Sequence, residues 1–441
     1  MKETREGSLS VLRRLRRNIA ILFSGTVAVG LFGLGALTLN TRALGPADFG
    51  LLVLVQSYVI ILGRVFSFDT WQAIIRFGAE CRARHDLPGL RAISSFAMLF
   101  DAGSSLAAGA MGLSLLLLFP ETLGLSDAEH HAALIYTGTL FLQLPGAPVG
   151  LMRLFDKFSW LTAITVVEAA SRFFASIALF FAGAPLSAYF YSFAAILVGS
   201  NVARIIASLI LLRRAAGSLR ISRLDEMRKV RRRIILFSSG SWLTGTLNVT
   251  RRDGTTLIVA ALLGPAAAGL YGFAVRIVRP IRDLAELLRQ ALFPDLSSLV
   301  AEGRHENVSE VVWRVLLHTV PLAAGITIAG VALGDLAIRT VAGPGYADAY
   351  WPLVFLLAAA SLYLCMPLLS SLAILYAGMR KYALATVGAV CVWAILFIWP
   401  MLIWGVAGAG VGELIFVLAW AAIIVRLLRQ SGRGPRKSRQ R

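Results

Sequence analysis

The sequence predicts an all-α integral membrane protein of twelve transmembrane helices, arranged as two six-helix bundles that repeat one another in parallel. Three observations carry that prediction. Of the 441 residues, 57% are hydrophobic and only 15% are charged, against about 25% charged in soluble domains. The apolar residues gather into runs of the ~20 residues that a helix needs to cross a bilayer. Finally, Leu44-Gly-Pro-Ala-Asp-Phe-Gly-Leu51 returns as Leu263-Gly-Pro-Ala-Ala-Ala-Gly-Leu270, displaced by 219 residues, almost half the chain. This composition excludes a disordered chain. Three cysteines, Cys81, Cys365 and Cys391, with no CxxC pair, exclude a disulfide framework.

The predicted spans are 18–40, 49–72, 92–119, 131–152, 158–183, 186–212, 234–262, 266–292, 308–333, 350–377, 382–403 and 406–428. Arg13, Arg14, Arg16 and Arg17 precede the first run as they would a signal peptide. That run is too long for a signal h-region and no small-residue cleavage site follows it, so it is read as a retained span. The second and eighth spans each open on a copy of the repeated octapeptide. Pro145 and Pro148 break the fourth span, Pro367 the tenth and Pro400 the eleventh; such breaks are tolerated where neighbours satisfy the freed backbone groups. Gly408 and Gly412 form a GxxxG in the twelfth, a packing motif. The expected organisation is a lobe over 1–212 with a basic N-terminus, a basic linker over 213–233, a second lobe over 234–430 and a basic tail over 431–441. An even number of helices per half inserts both halves the same way up, related by an axis along the membrane normal.

Charge sets the orientation. The net charge is +19, and thirty-one of the 43 Lys and Arg lie in the N-terminal segment, the alternate loops and the C-terminal end. The opposite loops hold Arg42 and Arg339 alone. By the positive-inside rule both termini are cytoplasmic. The basic ends, lying beside spans, read as contacts to anionic membrane lipids and not to nucleic acid. Trp71, Trp160, Trp313, Trp351 and Trp404 fall near the predicted interfaces, as an aromatic belt would.

Ten arginines remain, all inside predicted spans. Each costs at least ~2.5–3.5 kcal/mol near the bilayer centre, so such residues face protein or a wet cavity. Arg204, Arg289 and Arg314 lie near cytoplasmic helix ends and can snorkel; Arg64 is intermediate. Arg251-Arg252-Asp253 either interrupts the seventh span or forms an outer loop after Thr250. In the eighth span, Arg276, Arg279 and Asp283 form one helical stripe and Arg282, Glu286 and Arg289 another. Pro280 between them is expected to kink the helix or free a carbonyl. The stripes are either a self-neutralised ladder or a cationic site; four arginines against two acids leave net positive charge. Glu168 and Arg172 at i, i+4 read as a local pair or as a pair facing a cavity. Asp69, Asp101 and Glu413 could each serve an ion or pair with an arginine, the pairing being favoured. The five histidines show no metal spacing, His130-His131 included. No Walker sequence occurs, which argues against ATP-driven transport by this chain alone.

A basic tail, a Gly-rich first span, LGPADFGLLVLVQSY (44–58) and LLGPAAAGLYGFAVRIVRPIRDLAELLRQALFPDLSSL (262–299) resemble the polysaccharide-transport flippases. That family lies in the multidrug/oligosaccharidyl-lipid/polysaccharide exporter superfamily, which also contains the MATE drug exporters. The resemblance implies a MATE-like fold, two six-helix lobes in a V around a central cavity. It implies a bacterial cytoplasmic-membrane flippase, not an enzyme. Such a flippase turns a polyprenyl-diphosphate-linked oligosaccharide to the outer leaflet by alternating access, for cell-surface polysaccharide synthesis. A polymerase and other export-pathway membrane proteins are the implied partners. No cofactor is implied; Na+, H+ or the membrane potential would drive the cycle.

A diphosphate suits the arginines, since guanidinium forks match phosphate oxygens bidentately and stay charged. The diphosphate-binding candidates are Arg251, Arg252, Arg276, Arg279, Arg282, Arg172 and Arg64. The coupling-ion candidates are Asp253, Asp283, Glu286 and Glu168, Asp253 first. Two related readings are a peptidoglycan lipid-precursor flippase, which shares the chemistry, and a MATE-like cation-coupled drug exporter. The latter should carry acids in its first span, and 18–40 has none. A membrane-embedded glycosyltransferase would want large outer loops, and the longest expected here is 334–349.

Overall fold

The computed structural model describes residues 2–120, 124–144, 146–216 and 222–431. Side chains are described for these except 2–20 and a few scattered positions, so the N-terminal arginines and the tail beyond 431 lie outside it. Among the described residues there is no strand. The helices in order are α1 (Lys2–Val65), α2 (Thr70–Ala83), α3 (Leu87–Leu118), α4 (Asp127–Gly138), α5 (Ala147–Leu154), α6 (Phe158–Phe181), α7 (Leu186–Ala216) and α8 (Leu224–Leu263). They continue as α9 (Pro265–Ala301), α10 (His305–Val341), α11 (Tyr350–Tyr363), α12 (Met366–Ala377), α13 (Met379–Leu396), α14 (Ile398–Trp404) and α15 (Val406–Ser431). Among the described residues, seven helices are long and apolar enough to cross a membrane, and nine if two bent pairs each count as one span. Large apolar side chains such as Phe181, Leu118 and Ile395 are 70–80% exposed, as lipid-facing groups are.

The twelve expected segments distribute over these helices. At 1.5 Å per residue, the 64 residues of α1 would reach roughly 96 Å, three times the ~30 Å hydrocarbon core. It holds two segments, joined at Gly45 (φ 68°, ψ 179°). The fourth segment is α4, a 3-10 turn at Thr139–Leu142 and α5. The tenth is α11 and α12, bent by 41° together with the turn before them. The eleventh is α13 and α14. Helices α8 and α9, too polar to pass a hydropathy test, occupy the seventh and eighth places.

Two sequence expectations are resolved here. The triplet 251–253 sits inside continuous α8 and is not a loop; Arg251 is buried. Helix α9 passes through Pro280 without a break. The loop expected at 334–349 is also short, because α10 runs on to Val341 and Pro344–Ala349 is a 3-10 turn. Helix occupies both ends of 213–233, with 217–221 outside the described residues.

The chain forms two compact units: 1–44 with 54–254, and 45–53 with 255–441. In the first, a core of Ile74, Phe77, Leu90, Ile93, Leu151 and Ile234 ties α2, α3, α5 and α8. In the second, Leu296, Val308, Leu368 and Leu372 tie α9, α10 and α12.

The second unit also contains both repeated Gly-Pro turns, 45–51 and 264–270, and they are equivalent in conformation as well as wording. Gly264 (φ 88°, ψ 171°) repeats the backbone of Gly45. Each precedes a proline, which bars the helical region for the residue before it, and the positive φ then requires glycine. The proline opens the next helix, where its missing N–H costs nothing. The copies also cross one another. A Cβ on Gly50 would strike the Pro265 carbonyl, and a Cβ on Gly269 would strike the Pro46 carbonyl. The two contacts are related by the same 219-residue displacement. Small residues permit this close backbone approach.

Candidate functional site

In the first unit, Arg64 ends α1 and Asp69 stands before α2 in the left-handed region (φ 51°), which Asp tolerates better than most residues. Their fork-to-carboxylate bonds measure 2.7 and 2.8 Å. The guanidinium occupies the space above Gly245. Trp242 Nε1 donates to the Val65 carbonyl at 2.9 Å, holding α8 against the end of α1. Arg64 is thus committed to a structural pair.

Glu168 of α6 lies between two arginines, Arg172 one turn on at 3.3 Å and Arg204 of α7 at 2.6 Å. Sequence reasoning found the first pair and assigned Arg204 to snorkelling; only the packing of α6 on α7 brings it to Glu168. Arg172 also lies 5.5 Å from the Phe193 ring. In the triplet, Arg252 reaches Asp253 at 3.5 Å, and its side chain is 41% exposed.

In the second unit, α9 carries the charged stripes. Arg276 sits 4.9 Å over the Phe49 ring. Arg279 meets Asp283 at a loose 3.9 Å, 74% exposed. Arg282 turns away from the stripe and meets Glu413 of α15 at 3.3 Å, where the carboxylate is 1% exposed. Glu286 instead takes both nitrogens of Arg289, at 2.8 and 2.5 Å. Beside Arg276, Phe49 and Phe273 flank the ring of Tyr346, whose hydroxyl donates to the Gly45 carbonyl at 3.0 Å.

Charge balance then sorts the candidates. Arg64 with Asp69 is neutral. Glu168 faces two arginines, the triplet has two arginines to one acid, and the α9 arginines number four against Asp283, Glu286 and Glu413. The Glu168 carboxylate is thus outnumbered by the guanidinium groups that meet it. Arg252 and Arg279 have the loosest ion pairs and the most exposed side chains among Arg64, Arg172, Arg252, Arg279 and Arg282, so they are the most available of these to an anion. Arg282 and Arg64 are bound up in packing.

Asp101 was expected to find an arginine and does not. It accepts from the Thr70 hydroxyl at 2.8 Å and from the Gly146 and Ala147 amides at 3.0 and 2.6 Å, at the start of α5. A helix N-terminus satisfies a carboxylate as a cation would. The contact lies across the break in the fourth segment, which no local spacing reveals.

Residues 15–300 match the model of a family described as polysaccharide biosynthesis protein. The chain is similar to the inner membrane protein YghQ of Escherichia coli (strain K12), 28% identical over 355 residues, covering 77% of this chain and 95% of that one. Its fold is similar to that of an inward-facing multidrug resistance MATE family transporter of the MOP superfamily, with a TM-score of 0.68 at 13% identity, covering 94% and 97% of the two chains. It is also similar to the lipid II flippase MurJ in an inward closed conformation, with a TM-score of 0.60 at 15% identity, covering 93% and 90%. The fold is that of the MATE-like transporters.

Proposed function

Because the chain belongs to the polysaccharide biosynthesis protein family, and so to the superfamily of MATE exporters and lipid flippases, we propose that it is a multi-pass inner-membrane flippase. Its cargo is a polyprenyl-diphosphate-linked oligosaccharide, carried from the cytoplasmic to the outer leaflet. One observation supports this reading most: Arg252 and Arg279 hold their acids loosely and leave much of each side chain exposed. An intramembrane charge is retained only for function or pairing, and these two pairs are long and open. An open guanidinium is anion-seeking, and a diphosphate is the anion a lipid-linked sugar carries.

In the first unit Arg252 is the arginine offered to a diphosphate, with Arg251 and Arg172 adding to the field that draws it in; in the second it is Arg279, with Arg276. Asp253, already in contact with Arg252, is the coupling acid: an incoming diphosphate competes for that guanidinium and releases the carboxylate to take up a cation or proton. Asp283, beside Arg279, is placed to act in the same way. Glu286 and Glu168 hold tighter pairs and serve first to keep their arginines in place.

Likeness of fold to the lipid II flippase supports a second reading, a peptidoglycan lipid precursor as cargo. It shares the diphosphate and differs in the sugar. A cationic drug fits neither, since it would meet arginine where it needs carboxylate.

Deleting the gene tests the proposal. Lipid-linked saccharide should accumulate on the cytoplasmic face, and a wild-type copy should clear it. Unchanged distribution across the two leaflets would contradict it.

A further inference from the structure

The second unit holds a cleft of about 650 Å³ that none of the arginine chemistry uses. Asp335, Asp348, Tyr350, Trp351 and Trp404 line it. They come from the end of α10, the following 3-10 turn, the start of α11 and the α14–α15 junction. Both indoles are more than half uncovered, at 57% and 59%. Neither is loose. Trp351 stacks on Phe355 at 5.9 Å and meets Tyr350 edge-on at 5.2 Å, while the Tyr350 hydroxyl donates to the Val331 carbonyl at 2.8 Å. Trp404 ends α14 against Gly405, whose positive φ of 57° turns the chain there. Asp335 is paired with Arg339 at 2.8 Å; Asp348 is exposed and has no ion pair among the described residues.

An aromatic belt accounts for tryptophans at this level, but not for two of them lining one concavity with two carboxylates. A sugar ring has an apolar C–H face and a hydroxyl rim. Fixed indole planes take the face at little entropic cost, and carboxylates accept from the hydroxyls. The volume lies within the ~300–1,000 Å³ of small-ligand sites. The carboxylates also repel an anionic headgroup. The cleft lies at the end of the unit that carries Gly45, Gly264 and Gly343, beside Arg339, one of the two cations of the loops opposite the basic ones. The positive-inside rule makes that the outer end.

We propose that this cleft is a saccharide-binding site on the outer face, which engages the glycan part of the cargo as it leaves. The proposal rests on the reading of the cargo as a glycan. The test uses the full chain in nanodiscs of phosphatidylcholine, probed with an array of lipid-free neutral oligosaccharides and then titrated with a bound member. Wild type should bind at least one glycan. Trp351→Ala and Trp404→Ala should each weaken it about ten-fold or more, and Trp399→Ala, exposed but outside the cleft, should not. Asp348→Asn, which barely changes shape, should weaken binding as well and guards against misfolding of the tryptophan variants. Three results would overturn the proposal: no glycan bound by wild type, binding indifferent to all three cleft variants, or binding lost only on Arg252→Ala or Arg279→Ala. Tryptophan-dependent binding of glycerophosphoethanolamine in place of any sugar would also overturn it, in favour of a lipid headgroup site. Flipping of a lipid-linked oligosaccharide is measured on the same preparation. Flipping without glycan binding removes the cleft and leaves the flippase; glycan binding without flipping does the reverse.

Discussion

At the scale of single residues, the intramembrane arginines divide by what holds them. Arg282 meets a carboxylate that is almost wholly enclosed. Glu413→Ala would strand that guanidinium, and the loss of one partner of a buried pair costs about 3–5 kcal/mol. The detergent-solubilised protein should therefore melt well below wild type. Breaking the half-exposed loop pair of Arg304 with Glu302 should cost less than about 1 kcal/mol. Arg252 and Arg279 should behave in the opposite way, with transport lost and stability kept. Arg252→Ala and Arg279→Ala should each lower the initial flipping rate about ten-fold, the worth of one charge-assisted hydrogen bond of roughly 1.5 kcal/mol. Arg252→Lys should fall between, since it keeps the charge and loses the fork. Which arginine does which was not legible in the sequence. The stripe on α9 was, because it depends only on helical spacing. That Arg282 would leave the stripe for α15, or that Arg204 would reach Glu168, depends on which helices pack together.

At the scale of elements, the repeated Gly-Pro turns are the clearest case of sequence read through to structure. The wording placed them at equivalent points, and the structure gives them the same backbone and sets them against each other. Their mutual contact was not foreseeable, because nothing local tells Gly50 that its neighbour is Pro265. Gly50→Ala and Gly269→Ala each place a methyl against a carbonyl, and overpacking of this kind costs about 1–3 kcal/mol. The two variants should lower the melting temperature by similar amounts. Gly33→Ala, with open space around it, should be neutral or slightly stabilising. Unequal effects at Gly50 and Gly269 would contradict the equivalence. Tyr346→Phe removes the bond to the Gly45 carbonyl and should cost about 1 kcal/mol, read in the same melts. Breaks in the fourth, tenth and eleventh segments were legible from proline. The continuity of α8 at 251–253 was one of two readings the sequence left open, and α9 was expected as one span, with Pro280 freeing a carbonyl or kinking the helix without ending it.

At the scale of the whole molecule, the basic residues separate into two kinds. Those in the loops and ends are the ones the positive-inside rule reads as cytoplasmic, and a reporter fused to either terminus should read so. Those inside the helices are, on the proposed reading, the ones that select the cargo. Membrane architecture was legible because hydropathy and loop charge are summed over hundreds of residues. The proposed cargo was legible only as an anion, since guanidinium suits phosphate and says nothing of the sugar. The decisive measurement is flipping in proteoliposomes that contain this chain alone. A polyprenyl-diphosphate-linked oligosaccharide should cross far faster than in protein-free vesicles. The same lipid bearing a single phosphate should cross about ten-fold slower, and Arg252→Ala with Arg279→Ala should erase that preference. Equal rates with and without protein, or equal rates for one phosphate and two, would contradict an arginine site built for a diphosphate.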